Sequence, residues 1–312
     1  MPSMKAIKRR RLTVRNISQI TKAMNLVATS KLQRARNNLR AVAKPVQATF
    51  DFVYETFSDM QMDMLDMPFV SPRKEIKKTA YILITSNRGL CGGYNNNACK
   101  ELVRHARENN KTPIIIPLGR KGLAYFRRRS GDIIEIGSIK ETPEYSDATD
   151  LARKIMRMYS SGEVDEVYMV YTKYITALSL EPIVRKVLPI DPDYLRRVVG
   201  SSLMEGEEWE DLGIFKKPEK KEIRKINSEV EYDPDVATVL SNLIPWYLSM
   251  FIYAAMTSSA LCEQSAVMVS MDSATKNAGD IIEKLTLMYN QQRQSAITQE
   301  ITEIVSGASA LK

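Results

Sequence analysis

The sequence has little cysteine and almost no histidine, with three cysteines and one histidine in 312 residues. Three cysteines make an odd and sparse set, so no disulfide framework is expected. A single imidazole, that of His105, leaves most transition-metal sites without their usual ligands. Such sparse cysteine usage is typical of a reducing compartment, and the cytoplasm is therefore the expected location.

Long apolar runs are also missing. Ile114–Ile116 ends at Pro117 and Val239–Leu240 ends at Ser241, whereas a bilayer-spanning helix needs roughly 18 apolar residues or more. The opening residues MPSMKAIKRRR have no apolar segment behind their charges, so they do not predict a secretory signal. With 44% hydrophobic and 26% charged residues, we expect a folded chain that does not itself cross a membrane.

Acidic residues are absent from residues 1–50, which contain 12 lysines and arginines. The whole chain has a net charge of +8, so subtracting the +12 of this segment leaves −4 for the remainder. A basic segment without acids fits a mitochondrial transit peptide, a nucleic-acid-binding arm or a surface for an acidic partner. An ordinary solvated helix face is the fourth interpretation, and charge alone does not choose among them.

Apolar residues in the same segment recur at steps of mostly three and four, which predicts one helix from about residue 5 to residue 57. At 1.5 Å per residue this helix would be about 75 Å long. The stripe consists of Ile17, Ile20, Met24, Val27 or Ala28, Leu32, Ala35, Leu39, Val42, Val46, Phe50, Val53 and Phe57. So long and narrow a stripe favours a coiled-coil strand over a transit peptide.

A heptad repeat occupies the other end of the chain. Steps of four and three connect Val267, Met271, Ala274, Ala278, Ile281, Leu285, Met288 and Gln292, and the pattern resumes at Ile297, Ile301, Ile304 and Ala308. A sustained period of 3.5 residues requires a partner helix. We expect a helix from about Asp235 to Ala310 that pairs antiparallel with the first one, in a seam of small, polar and Met residues. Composition alone also allows a plain structural coiled coil.

The middle of the chain alternates β-rich and helical runs, which is typical of parallel crossover units. The predicted strands are Tyr81–Thr85, Pro113–Leu118, Asp132–Ile136 and Val164–Tyr171, and the predicted helices are Asn97–Asn109, Arg120–Arg129 and Asp147–Tyr159. The predicted fold is therefore α/β plus coiled coil, with a central Rossmann-like domain. Its segments are the first helix at 1–60, the head at 78–200, a charged insert at 201–233 with one possible strand at 221–226, and the last helix at 234–312.

The feature most like an active site is the glycine-rich loop Ser86–Asn95, which follows a predicted strand. Its glycines do not have the spacing of the two common nucleotide-binding motifs. Cys91 could act as a nucleophile only with a base nearby, and His105 has no evident reason to face it. A tight structural turn formed by Gly89, Cys91, Gly92 and Gly93 is the favoured interpretation.

No catalytic constellation emerges elsewhere. The carboxylates of Asp147, Asp150, Asp165 and Glu166 are scattered on predicted surfaces without a pattern that sets an acid against a base. No cofactor, metal site or enzymatic activity of the chain itself is predicted. From the residues alone, the chain is a long two-helix segment with an α/β head.

Three blocks of the sequence resemble the gamma subunits of F-type ATP synthases, the central stalk of a rotary motor. The blocks are Ile20–Met24 with Val27–Ala28 and Ser30–Leu32; Arg88–Gly93 with Asn95; and Ala274–Thr275, Asn277–Ala278, Leu285, Tyr289–Asn290, Arg293–Gln294, Ile297–Glu300 and Glu303–Ala308. Weaker similarity covers nearly the whole chain. The last block is the most specific of the three.

The resemblance implies a non-catalytic rotor, one copy per complex, that couples proton flow to ATP synthesis or hydrolysis. Its implied partners are a ring of alpha and beta subunits, an epsilon subunit and a membrane ring of c subunits. The implied ring contacts are Met24, Arg293, Gln294 and Thr298, and the acid-free basic segment adds Arg9, Arg10 and Lys22 as candidate contacts with the same ring. Relatives often carry an Arg at the position of Val267, and the N-terminal cations are available to compensate for its absence here.

Two alternatives from other classes remain at this point. A nucleic-acid-binding coiled-coil protein would use the basic arm, although few aromatic residues accompany its cations. An enzyme would use the glycine loop. The rotor interpretation places the chain at the cytoplasmic face of a bacterial cell membrane, as a peripheral protein without nucleic acid as a partner.

Overall fold

Two long helices begin and end the part of the chain that the computed structural model describes, which comprises residues 3–59, 69–70, 73, 75–129, 132–136, 139–190, 233 and 236–310. Helix α1 is Met4–Asp59. The last helix, α5, is Val236–Ala310. Pro45 lies inside α1 without ending it, because Val42, Ala43 and Val46 are buried around it and hold this stretch against the core, which offsets the cost of an internal proline.

The elements between the two long helices form one sheet and its flanking helices. In chain order they are β1 (Thr79–Ile84), α2 (Tyr94–Glu108), β2 (Pro113–Leu118), α3 (Arg120–Arg127), β3 (Asp132–Ile133), α4 (Tyr145–Ser160), β4 (Glu166–Tyr174) and β5 (Leu180–Leu188). The strand order is β3-β2-β1-β4-β5. The first four strands are parallel, which confirms the predicted α/β layer between two terminal helices.

The strand β5 was not predicted from the sequence. It pairs antiparallel with β4 at the edge of the sheet, where Thr172 lies opposite Pro182. A proline lacks a backbone N–H and is tolerated mainly on edge strands, so its presence masks this strand when β-propensity alone is considered. The prediction for β3 was too long, since the strand ends at Ile133 rather than at residue 136.

Apolar side chains cover both faces of the sheet, as strand alternation requires. On one face Ile82 and Ile84 pack in a core that includes Ile155 of α4 and residues of both α1 and α5. On the other face Tyr81 and Leu83 pack against α2 and α3. Helices on both faces of a mostly parallel sheet make this a doubly wound, Rossmann-like layer.

The chain divides into two compact units. Residues 1–29 and 267–312 form one, here called the paired-helix unit, and residues 30–266 form the other, here called the head unit. The division falls inside both long helices rather than at their ends. The predicted insert, apart from Asp233, and its possible strand at 221–226 lie outside the described residues.

Candidate interaction surfaces

Side chains of α1 and α5 meet in antiparallel order in the paired-helix unit. The guanidinium carbon of Arg11 lies 5.3 Å from the centre of the Tyr289 ring. The hydroxyl oxygens of Thr21 and Thr275 are 2.7 Å apart. The amide of Asn25 donates a hydrogen bond of 2.9 Å to the carbonyl of Met268. Numbers rise along α1 while they fall along α5, so the helices run antiparallel, as their stripes predict.

The line of buried residues on α5 differs in part from the predicted seam. Six predicted positions are buried or half-buried, namely Val267, Met271, Ala274, Ala278, Leu285 and Gln292. By contrast, Ile281 is 40% exposed and Met288 is 43% exposed. Their neighbours Ile282 and Tyr289 are half-buried instead. The inward line is therefore shifted by one residue at these two positions.

The same shift occurs on α1. Ile17 and Ile20 are 48% and 59% exposed, whereas Thr21 and Asn25 contact α5. Met24 is half-buried. Apolar residues lie on two adjacent faces of α1, so the apolar pattern alone does not determine which face is buried. The prediction that Ile17 and Ile20 lie in the seam between the helices is therefore wrong.

Large apolar side chains are exposed on both helices of the paired-helix unit. On α1 and α5 they include Leu12, Ile17, Ile20, Leu26, Val27, Ile297, Ile301, Ile304 and Val305. Scattered exposed apolar residues are normal, but a series of them along an element indicates a surface that meets another protein. Contacts between α1 and α5 therefore cover only part of the apolar surface of this unit.

Unpaired cations accompany these apolar residues on α1. Six of them are exposed, namely Lys5, Lys8, Arg9, Arg10, Arg15 and Lys22. None of the six makes an ion pair within the part of the chain that the structure describes. The one ion pair described in this unit joins Lys276 and Asp272 of α5, at 2.7 Å. The first turns of α1 therefore present a positive surface that no described acid of this unit neutralises.

The candidate ring contacts on α5 are polar and accessible. Arg293, Gln294 and Thr298 are all exposed at the surface of the helix. Gln294 and Thr298 line a shallow depression together with Gln291, Ser295, Gln299, Thr302 and Glu303. These side chains can exchange hydrogen bonds with a partner without first breaking a buried contact.

The glycine loop between β1 and α2 is closed on itself by hydrogen bonds. The side-chain oxygen of Asn95 accepts a bond of 2.8 Å from the backbone N–H of Ser86. The side-chain nitrogen of Asn95 donates to the hydroxyl of Ser86 at 2.7 Å and to the sulfur of Cys91 at 3.0 Å. Cys91 is buried, and burial raises the pKa of its thiol. A reactive cysteine needs the opposite shift.

Backbone conformation explains the glycine content of this loop in part. Gly92 has φ of 54°, in the left-handed region that glycine adopts without a steric penalty. Leu90 has φ of 67° and a side chain that is 61% exposed. Gly89 and Gly93 lie within the same turn. The loop therefore forms a tight turn with an apolar side chain at its surface.

Residues of α5 occupy the position where doubly wound folds commonly bind ligands, at the carboxyl ends of the strands where the strand order reverses. Here that position lies between β1 and β4. The hydroxyl of Tyr94, at the start of α2, donates to the carbonyl of Ser259 at 3.2 Å. The hydroxyl of Ser258 donates to the carbonyl of Thr172, near the end of β4, also at 3.2 Å. The crevice is thus filled by the protein's own helix.

The carboxylates singled out in the sequence are paired with cations rather than with each other. Asp165 accepts hydrogen bonds of 2.9 Å from Arg73 and from the backbone N–H groups of Lys77 and Lys78. Arg153 contacts Asp150 at the surface. Asp147 belongs to the capping box of α4. In the described ranges no group of three or more His, Cys, Asp or Glu side chains could hold a metal ion.

The single histidine has a structural environment. The Nδ1 atom of His105 lies 3.0 Å from the hydroxyl of Tyr81, and its ring packs 4.9 Å from that of Tyr168. Partial burial lowers the pKa of His105, although Glu101 and Glu108 favour its charged form. His105 therefore supports an aromatic cluster beside α2 and is not directed at Cys91.

Comparison with known sequences gives a consistent result. The chain matches the family model described as ATP synthase over residues 3–311. The ATP synthase gamma chain of Alkaliphilus metalliredigens is 40% identical over 313 residues, covering 99% of each chain. That of Lachnoclostridium phytofermentans is 38% identical over 314 residues and covers 100% of both.

Solved structures show a similar fold. A chain of the Euglena gracilis mitochondrial ATP synthase has a TM-score of 0.60 at 18% identity, and the match covers 99% of this chain and 94% of that one. A chain from the central stalk and c-ring of the Tetrahymena thermophila mitochondrial ATP synthase has a TM-score of 0.52 at 22% identity, with coverage of 82% and 99%.

The fold defines a class of protein in which two terminal helices pair and the central α/β layer has its ligand crevice filled from within. The family model and the relatives above identify the particular family: the chain belongs to the ATP synthase gamma chains. The comparisons do not support the alternative of a nucleic-acid-binding protein. Among the described helices, none has an apolar stretch that would carry it through a bilayer.

Proposed function

We propose that this chain is the rotor of a proton-translocating F-type ATP synthase, where it couples proton flow to ATP synthesis or hydrolysis in a ring of alpha and beta subunits. The observation that carries this proposal is the surface of the paired-helix unit. Large apolar side chains such as Ile20 and Ile301 are exposed there, and the same unit carries cations of α1 that have no acidic partner among the described residues. A surrounding protein surface would satisfy both features.

A distributed positive surface suits a part that turns. Exposed ion pairs contribute only about 0 to 1 kcal/mol each, so contacts made by Arg9, Arg10 and Lys22 can form with one acidic segment of the ring and be exchanged for the next. Polar side chains at Arg293, Gln294 and Thr298 would make similarly exchangeable hydrogen bonds. Met24, which is half-buried and two residues from Lys22, would add a small apolar contact.

Further partners follow from the family. The Tetrahymena thermophila relative comes from an assembly of central stalk and c-ring. We infer that the head unit of this chain contacts an epsilon subunit and the membrane ring of c subunits, with one copy of the chain per complex. The bacterial relatives support a peripheral location at the cytoplasmic face of a bacterial cell membrane.

The role we propose for the chain itself is mechanical rather than catalytic. The candidate nucleophile Cys91 is buried, and burial raises the pKa of its thiol. His105 packs beside Tyr81 and does not face Cys91. Catalysis would then reside in the partner ring, and the chain would act by presenting different faces to each beta subunit as it turns.

Copurification tests this proposal. The tagged chain is expressed in a bacterium that lacks its own gamma subunit, membranes are solubilised in mild detergent, and the retained proteins are quantified. We expect alpha and beta subunits in equal amounts, epsilon at one copy for each tagged chain, and a ring of c subunits, with ATP-driven proton pumping after reconstitution. Recovery of the chain alone, or with nucleic acid, would contradict the proposal.

A further inference from the structure

We propose that Thr21, Thr275 and Asn25 are positioning residues, whose hydrogen bonds between α1 and α5 set the rotation of α1 about its own axis and so the direction in which Lys22 and Met24 point. The inference rests on the proposed function, since Lys22 and Met24 are among the residues expected to contact the ring.

Geometry links the two sets of residues. Thr21 and Asn25 are four residues apart, so they lie on one face of α1, and both are bonded to α5. Successive residues of a helix differ in direction by about 100°. With Thr21 and Asn25 held inwards, the intervening Lys22 and Met24 are directed sideways. Lys22 is indeed exposed and Met24 half-buried.

Apolar packing alone would favour a different rotation. The face that α1 turns towards α5 includes Thr21 and Asn25, which bond to that helix. A turn of one residue would bring Ile20 inwards in place of Thr21, whereas Ile20 is exposed in the observed arrangement, as is Ile17 one turn earlier. Burying isoleucine instead of threonine would gain hydrophobic stabilisation. The observed rotation therefore needs a specific contribution, and the hydrogen bonds between the helices supply one.

On α5, too, either of two neighbouring stripes could face the other helix. Ile281 and Met288 are exposed, while Ile282 and Tyr289 are half-buried, with Tyr289 beneath the guanidinium of Arg11. Two stripes one residue apart thus compete on both helices. In each case the stripe that faces inwards carries a polar contact to the other helix.

The hydroxyl protons of the threonine pair can be counted. The Thr275 hydroxyl oxygen is 2.8 Å from the carbonyl of Met271 in its own helix, and that of Thr21 is 3.1 Å from the carbonyl of Ser18. Two protons therefore serve three close contacts, and one of the protons can bridge the helices. If either hydroxyl is removed, the other still donates within its own helix. A valine at either position leaves no stranded donor and tests the link between the helices rather than the fold.

Cross-linking reads out the rotation directly. Cysteine at position 282 is combined with cysteine at either position 17 or position 18, in the assembled complex, with and without T21V/T275V. The unaltered pair should favour the link from position 18. In the valine variant we expect the ratio of the two yields to move towards position 17 by about fivefold, the effect of one net hydrogen bond.

Coupling gives the functional readout. We expect T21V/T275V to pump fewer protons per ATP hydrolysed, with hydrolysis and assembly retained, and T21S/T275S to restore the ratio because serine keeps both hydroxyls. A matched control is T29V/T286V, one threonine on each helix whose described hydroxyl bond goes to a carbonyl of its own helix. This control should behave like the unaltered chain.

Each outcome decides the matter. If the unaltered complex pumps protons but T21V/T275V leaves the cross-link ratio unchanged, the inference is overturned. The same holds if T21V/T275V leaves the ratio of proton pumping to ATP hydrolysis unchanged. Failure of the unaltered chain to assemble with a ring would instead overturn the proposed function. If the double variant does not assemble, T275V alone removes the same bond and is measured in its place.

Discussion

At the residue scale, Glu166 and Glu263 of the head unit show that the local environment shifts the pKa of the same residue type in opposite directions. Burial raises the pKa of Glu166, but hydrogen bonds of 2.8 Å from Lys111 and 2.9 Å from Lys186 outweigh it, so that the pKa is lowered. The pKa of Glu263 is raised to about 7, first by burial and then by the charge of Glu141. Arg88 and Lys31 oppose that increase without cancelling it.

Glu263→Gln should change the dependence of stability on pH. The ordinary pKa of glutamate is 4.5 and that of folded Glu263 is about 7, so the folded state holds this proton more tightly than the unfolded one. The stabilisation is complete below about pH 4.5 and is lost as the pH rises through 7. Relative to the glutamine variant, the original chain should lose roughly 3 kcal/mol between these limits, at about 1.4 kcal/mol per pH unit.

Urea unfolding of both chains at a series of pH values between these limits measures this difference. The glutamine variant cannot titrate at position 263, so subtracting the two free energies of unfolding isolates the contribution of this carboxyl group. A difference that stays constant across the series would show that Glu263 has the same affinity for its proton in the folded and unfolded states.

At the element scale, close approach of backbone segments decides where glycine is required. Gly119, between β2 and α3, has φ of 128°, and a Cβ atom there would lie 2.1 Å from the carbonyl oxygen of Thr85. The hydroxyl of Thr85 also accepts a hydrogen bond from the backbone N–H of Gly122 at 2.9 Å. The turn from β2 into α3 therefore depends on a missing side chain. Gly279, inside α5, has open space around it.

Gly119→Ala and Gly279→Ala should have opposite effects on stability. Alanine at position 119 combines a strained backbone with overlap against Thr85, which we expect to cost about 2 kcal/mol or more. Alanine at position 279 should stabilise α5 by about 1 kcal/mol, the difference in helix propensity. Urea unfolding of the purified chain measures both. Equal effects of the two substitutions would contradict the steric argument.

At the scale of the whole molecule, the two units differ in how they bury their apolar side chains. The head unit buries apolar residues such as Ile82 and Tyr81 on opposite faces of its sheet. The paired-helix unit keeps apolar residues such as Ile17 and Ile304 exposed. The first arrangement is an apolar core formed within the chain, whereas the second is typical of a surface that a partner covers.

Reversing the charges of Arg9, Arg10 and Lys22 together, each to glutamate, should weaken coupling. The three cations are exposed on α1, and acids in their place would repel an acidic ring surface. We expect reduced proton pumping per ATP hydrolysed in the reconstituted complex, and the defect should lessen at high salt because screening weakens exposed charges. The matched control exchanges Arg9 and Arg10 for lysine and Lys22 for arginine.

The control keeps every charge and should pump normally. Normal pumping by the charge-reversed variant would rule out an electrostatic role for these three residues. A defect of equal size in the control would point to side-chain shape rather than charge.

Several features of the fold were predictable because local patterns determine them. Steps of three and four residues located both long helices to within a few residues, and β-rich runs located β1, β2 and β4. The strand β5 was missed because Pro182 is acceptable mainly at a sheet edge, and edges are not a local property. The candidate contacts with a ring came partly from the resemblance and partly from the acid-free basic segment, and their roles stay predictions.

By itself the sequence determined the helix periodicity, the acid-free basic segment and the glycine-rich turn, since each depends on residues close together in the chain. Only the tertiary structure decided which of two neighbouring stripes faces inwards, placing Thr21 and Ile282 inside and Ile20 and Ile281 outside. It also decided that α5 fills the crevice beside Tyr94. Both outcomes depend on partners far away in the chain, and a contact between distant segments is selected by geometry and hydrogen bonding that no local pattern records.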